Sequence, residues 1–194
     1  MTATVPFPAD WLPATGRAGD LDLALLLVNS VDLLEEPADR LHDLTWLTAA
    51  FRAAGHADLA GQLEPADLPE LRLLRDALRT AFVVDDPAAV CDALNVLLRG
   101  SAAPELVPVP GTDDRVRLEL GLGLVGCPAL QARLPAAIAS HLATYGTRRL
   151  GTCASDPCRC AFVDRTRAGT RRYCCGYCND RAAARSYRRR RARV

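Results

Sequence analysis

Six of the chain's eight cysteines fall between Cys153 and Cys178, and no other feature of the 194-residue sequence restricts its folding so narrowly. The segment around them holds few large apolar side chains: Phe162, Val163, Tyr173, Tyr177 and Tyr187. That is too little to stabilise a small fold through an apolar interior alone. In a reducing compartment, clustered thiols of this kind point to metal before disulfides. Zn²⁺ takes four thiolates in a tetrahedron at ~2.3 Å, and short loops let a pair of them converge on one ion. Cys153 with Cys158 and Cys174 with Cys178 give C-x4-C, fifteen intervening residues, then C-x3-C. One structural zinc is therefore expected, supplying on the order of 10 kcal/mol of folding free energy.

By spacing alone Cys174 and Cys175 both qualify as the third ligand, because Cys175 and Cys178 also form a C-x2-C. That pair has the shape of a thiol–disulfide redox motif, but it lies among arginines rather than between a strand and a helix of a larger sheet. Cys160 and the unused member of the 174/175 pair are expected to be spare thiols. Cys91 and Cys127, each alone in apolar surroundings, read as buried core cysteines. The segment between the two pairs, AFVDRTRAGTRRY, starts with apolar alternation and turns at Ala168-Gly169, which predicts a two-stranded ribbon.

Charge divides the chain at the same place. The formal net charge of +1 comes from 24 basic residues, all arginine, and 23 acidic ones. Residues 1–144 are strongly acidic, whereas residues 145–194 carry 14 arginines against Asp156, Asp164 and Asp180. After Cys178 the sequence NDRAAARSYRRRRARV predicts a helix capped by Asn179 or Asp180, with Arg181, Arg185 and Arg188 on one face. Arg189, Arg190, Arg191 and Arg193 widen that surface, and Arg171 and Arg172 approach from the ribbon. One or two arginines suffice to offset a Zn(Cys)₄ centre of formal charge −2; fourteen are far more than that needs.

Guanidinium groups fork onto phosphates and read guanine edges. DNA is therefore the expected partner, with Arg171, Arg172, Arg181, Arg185, Arg188 and Arg189 as its contacts and Arg181 or Arg185 in reach of bases. The alternative is a zinc-thiolate redox-sensing or protein-interaction module that grips an acidic partner, or the chain's own body, without duplex binding. With only Tyr173, Tyr177 and Tyr187 to stack on, single-strand recognition is disfavoured.

The acidic part is expected to be mainly helical. The whole chain's 49% hydrophobic content excludes wholesale disorder. Residues 1–19 read as an irregular arm. Helices are expected at about 20–34, 39–54, 66–84, 87–99 and 129–145, with apolar stripes such as Leu71, Leu74, Leu78, Ala81 and Phe82, and with Arg72, Arg75 and Arg79 off the stripe. ELVPVP, GTDD and RVRLEL predict a hairpin over 105–120. The division expected is a helical domain over 1–146 and a zinc-finger domain over 147–194, a β-ribbon followed by a basic helix.

The basic module resembles the CGNR-type zinc finger. Cys153-Ala154, Cys158, Phe162, Asp164, Thr166-Arg167 and Arg171-Arg172-Tyr173-Cys174 match its pattern, and Cys178-Asn179-Asp180-Arg181 stands where Cys-Gly-Asn-Arg would be. Tyr173 replaces the usual Trp, and the last cysteine spacing is one residue shorter. The arginine–aromatic–cysteine match favours Cys174, so the resemblance implies Cys153, Cys158, Cys174 and Cys178 as ligands. The body is similar to that family's N-terminal partner, the ABATE domain, in Gly19–Leu23 leading to Val28-Asn29-Ser30-Val31, and in Ala93–Leu98. The resemblance implies a bacterial transcriptional regulator, of a kind often called stress-induced.

Elsewhere the signals are weaker. Asn29, closing an apolar run, is a candidate ligand contact or a buried tie between helices, and Asn95 is read the same way. Trp11 and Trp46 are expected to pack at the core or its edge. His42, His56 and His141 lack carboxylates or cysteines at ligand spacing. The glycines of GLGLVG (121–126) lack a βαβ context and read as a loop. An enzyme is not expected. No apolar run reaches the length of a membrane span, and the N-terminus lacks a secretory pattern, so a cytoplasmic protein without membrane partners is expected. A small-molecule effector at the body and a homodimer both fit the regulator reading.

Overall fold

The computed structural model describes residues 18–101, 103–108 and 116–192. The irregular arm up to residue 17, Trp11, the GTDD turn and Arg193 lie outside the described residues. The architecture is mainly helical with two small antiparallel hairpins, in the order α1 (Asp20–Val28), α2 (Thr45–Ala53), α3 (Ala57–Gly61), α4 (Leu68–Val83), α5 (Pro87–Arg99), β1 (Glu105–Pro108), β2 (Val116–Glu119), α6 (Gly126–Tyr145), β3 (Leu150–Thr152), β4 (Ala161–Val163) and α7 (Gly176–Arg191). No helix among the described residues is long and apolar enough to cross a membrane.

Helix α1 is the central post, packed against α2, α4 and α6. Seven of its nine residues are buried, which is why its sequence is apolar on every side rather than along one stripe. The Asp22 carboxylate accepts the Gly19 amide at its start. It stops at Asn29 instead of running on to residue 34. Beyond it, short polar side chains take over the backbone: Asp32 accepts from the Leu34 amide, and the chain doubles back so that Asp32 N–H donates to Ala38 and Arg40 N–H to Ser30.

The helix expected from residue 39 begins only at Thr45. Asp39 and Asp43 turn the chain first, accepting from the amides of Leu41 and Thr45 at 2.9 and 2.7 Å. The short α3 has no counterpart in the sequence reading. Helices α4 and α5 fall close to their expected limits. The α4 stripe Leu71, Leu74, Leu78, Ala81 and Phe82 is buried as its spacing demands, and Asp86 caps α5 ahead of Pro87. Trp46 packs at the core edge beneath the Arg40 guanidinium.

Helix α6 begins at Gly126, earlier than expected. There the chain needs a positive φ of 59°, and a Cβ would lie 2.8 Å from the Gln62 carbonyl oxygen, so only glycine fits. Cys127 is buried, and burial together with Asp67 and Glu70 pushes its thiol up to about 12, which leaves it inert. Cys91 is exposed, against expectation, at the rim of a pocket between α5 and α6.

Two further expectations are corrected by the packing. Arg75, read as lying off the α4 stripe, is buried; it donates to Asp39 at 2.8 Å and to Asp76 at 2.9 Å. Burial alone would raise the Asp39 pKa, but the hydrogen bonds from Arg75 and from the Leu41 amide hold it below its ordinary value. The ribbon is also built from other strands than predicted. β4 pairs with β3, which precedes the cysteines, in the register Leu150↔Val163, Gly151↔Phe162 and Thr152↔Ala161. Gly169 turns a loop, not a ribbon.

Body and cysteine module share one continuous apolar core. Ala161, Phe162 and Val163 are all buried. The Asn29 side chain pairs with the peptide unit of Ala161 as another strand would: its Nδ2 donates to the Ala161 carbonyl at 3.0 Å, and its Oδ1 accepts the Ala161 amide at 2.7 Å. Both groups are buried, so removing the amide orphans a donor and an acceptor at once. Asn29→Leu is expected to cost about 1–3 kcal/mol for each orphaned group, read as a lowered urea midpoint of the zinc-loaded protein.

Candidate metal centre

Four sulfurs meet beside this joint. The Sγ atoms of Cys153, Cys158, Cys174 and Cys178 all lie within 4.8 Å of one another, and all four residues are buried. Cys158 and Cys174 are 3.8 Å apart, and Cys174 and Cys178 3.7 Å. A tetrahedron with ~2.3 Å from centre to vertex has edges of about 3.8 Å, so the spacing fits a Zn(Cys)₄ centre. The choice left open by the sequence falls on Cys174, and Cys175 stands outside the quartet as the residue before α7. Neither Asn179 nor Asp180 is the cap; both lie within the first turns of the helix, with Cys178.

Local geometry explains why these residues converge. Cys153 opens the loop between β3 and β4 and Cys158 lies within it, and a bond from the Cys153 amide to the Cys160 carbonyl at 2.9 Å closes it. The Ala154 amide donates to the Arg172 carbonyl, bringing the second knuckle alongside the first. Hydrogen bonds from Cys153, Cys160 and Cys174 draw Cys158 toward the thiolate, while the same crowding holds the proton on Cys174. A bound dication removes that competition by making every ligand a thiolate. Cys160 is buried with Asp32 and Cys158 close to it, on the side of the centre that faces the body.

The loop between the pairs is shaped by Asp164. Its Oδ1 accepts from the Thr166 amide and hydroxyl at 2.9 and 2.6 Å, and its Oδ2 accepts the Arg171 amide at 2.8 Å. Burial works against the charge, but these bonds hold the carboxyl below its ordinary pKa. The Arg171 guanidinium lies over the Phe162 ring and donates to the carbonyls of Tyr173 and Cys174. Gly151 leaves room for that same ring, since a Cβ there would sit 3.1 Å from it.

The family model of the ABATE domain, described as a putative stress-induced transcription regulator, matches residues 21–145, and that of the CGNR zinc finger matches residues 149–191. The chain belongs to the ABATE family and ends in a CGNR zinc finger. No curated protein matches it. The cofactor of the CGNR finger is one structural zinc, held by the four cysteines that the fold brings together.

Within the CGNR finger the arginines divide into two sets. Arg181 ties α7 to the first knuckle, donating to the Ser155 and Asp156 carbonyls at 3.0 Å each and to the Ser155 hydroxyl. Arg185 donates to the Asp156 carbonyl at 2.6 Å. Arg171, Arg181 and Arg185 thus spend donors inside the finger. Arg172, Arg188 and Arg189 are exposed, as are Arg190 and Arg191.

Asn29 is placed as the tie between body and finger, with both its Nδ2 and its Oδ1 engaged by Ala161. Asn95 is exposed, so it is not a buried tie. His42 is exposed, whereas His56 is buried near the Ala18 carbonyl. Three contacts were missed by the sequence reading: Arg72 to the Leu41 carbonyl, Arg79 to the Arg159 carbonyl, and Arg165 to Asp22. The one signal for the α4 pair was spacing, since 72, 75 and 79 recur at three and four residues beside an apolar stripe.

Elemental analysis is expected to give one zinc per chain. Serine at Cys153, Cys158, Cys174 or Cys178 should lose it, while Cys160→Ser and Cys175→Ser should retain full stoichiometry. Chelation should remove the β3–β4 and α7 signals from amide exchange before those of α4 and α6.

Proposed function

We propose that the chain is a DNA-binding transcriptional regulator: the finger (147–194) meets the duplex, and the body (1–146) senses a small-molecule effector or assembles protomers. The observation that carries this reading is the run Arg188–Arg191 on the last turns of α7. All four are exposed, and none has a carboxylate partner among the described residues. The zinc-clamped knuckles fix where α7 points, so the charge is presented by a rigid support. A rigid support lowers the ordering cost of binding, which a loose tail would have to bear in full.

A second surface lies at the opposite end of α7. A groove of about 630 Å³ is lined by Arg171, Arg172, Thr170, Tyr173 and Asn179, beside the start of α7. Exposed Arg172, together with hydroxyl and amide donors, suits a phosphate backbone. The finger docks on the acidic body through its cysteine side, by Asn29, Arg79 and Arg165, and this leaves the arginine run of α7 facing outward. That favours an external polyanion over the chain's own acidic residues. Assembly into a homodimer is supported by hairpin β1–β2, where Leu106 and Leu118 lie opposite each other and are both exposed.

The test is a salt titration of zinc-loaded protein against a random 20-base-pair duplex, followed by anisotropy. Five phosphate contacts, from Arg172 and Arg188–Arg191, correspond to a slope of log K against log[salt] of about −4 to −5. Replacing Arg188 and Arg189 by alanine should lower its magnitude by about 2. Arg181→Ala should instead weaken zinc retention and leave the slope of the loaded protein nearly unchanged. A slope near zero for the parent protein overturns the reading.

A further inference from the structure

Where the end of α6 meets the loop leaving β4, a cavity of about 320 Å³ is lined by His141, Tyr145, Arg149, Asp164, Arg165 and Thr166. His141 and Tyr145 belong to the body, and the other four to the finger. The volume lies at the small end of the ~300–1,000 Å³ typical of small-molecule sites.

The charges around it are unevenly matched. Arg149 donates to the carbonyl oxygens of Asp164 and Thr166, but it has no carboxylate partner among the described residues. Arg165 is paired with Asp22 of α1, its side chain still half exposed. Asp164 is the one carboxylate in the lining, and both of its oxygens are already taken up by Thr166 and Arg171. In the same wall the Nε2 of His141 is buried and has no hydrogen-bond partner. The imidazole lies 4.9 Å from the Tyr145 ring, centre to centre. Burial, then the fields of Arg165 and Arg149, push its pKa below the ordinary value, so the ring is neutral near pH 7 and keeps one donor and one acceptor.

A guanidinium with no salt bridge among the described residues and an orphaned imidazole nitrogen, with the Tyr145 ring beside them, describe a receptor for an acid. We propose that this cavity binds a small molecule with a single acidic group, carboxylate or phosphate, set against Arg149, with its remaining atoms against the rings of His141 and Tyr145. The inference deepens the effector part of the proposed function by giving it a site and a ligand class. The acid would also draw on the guanidinium that Asp22 holds, so occupancy and the seating of the finger are linked reciprocally.

The test contains no duplex, so its failure and a failure of DNA binding are separate results. Zinc-loaded full-length protein is titrated with sodium benzoate, and separately with inorganic phosphate, at constant ionic strength, while histidine ring protons are followed by NMR. The His141 signal is identified by its loss in His141→Gln. It should shift saturably with at least one of the two anions while that of exposed His42 stays in place. Response to benzoate alone assigns part of the affinity to the rings; response to both shows that the acid suffices. Arg149→Gln should weaken binding at least tenfold. Tyr145→Ala, at an exposed position, should weaken benzoate severalfold, and it serves as the test if Arg149→Gln fails to hold zinc. The proposal is overturned if neither anion gives a saturable shift up to about 20 mM, where a Kd of about 1 mM would be evident. It is equally overturned if the well-folded variants bind as the parent does.

Discussion

The side-chain amide of Asn29 sets the register between the two halves of the molecule. The Asn29 carboxamide presents the same donor and acceptor that a neighbouring strand would, and it presents them to the peptide of Ala161, one residue beyond Cys160. Helix α1, which ends just before Asn29, has seven of its nine residues buried, so its position is fixed by the body's own packing. What the amide holds is therefore fixed too. The strand that closes the first zinc knuckle is registered against the oldest part of the core in chain order, and the rest of the finger inherits that placement.

The metal does a different job from the apolar core it adjoins. Phe162 and Val163 bind the finger to the body, while four thiolates around one ion hold the finger's own loops together. Arginine serves both ends of this arrangement. Arg171 and Arg181 turn inward because carbonyl oxygens left over from the tight knuckle turns need donors, and a guanidinium supplies several in a fixed fork. Only once those oxygens are satisfied does the remaining arginine become available to anything outside.

How much of this was legible in the sequence depends on the range of the interaction. The zinc quartet was legible because the ion demands sulfurs at short spacing, and only the choice between Cys174 and Cys175 needed more than spacing. Helices α4 and α5 were legible because a stripe and a Pro-marked start are local signals. The end of α1 was not: Leu33 and Leu34 continue the apolar run, and what stops the helix is the use of Ser30 and Asp32 by a returning chain. Pairing of β3 with β4 was missed because Leu150-Gly151-Thr152 carries no alternation of its own and takes its form from Phe162. Burial of Arg75 depends on Asp39, thirty-six residues earlier, a partnership that no local pattern records.

The shared core bears on how the molecule can be taken apart. Cutting the chain at Gly146 would leave Ala161–Val163 without the cover of α1 and α4, and would strip the body of the strand that satisfies Asn29. Neither fragment would then be a faithful stand-in for its half of the whole. The two regions behave like a key cast in its lock: removing one reshapes the other.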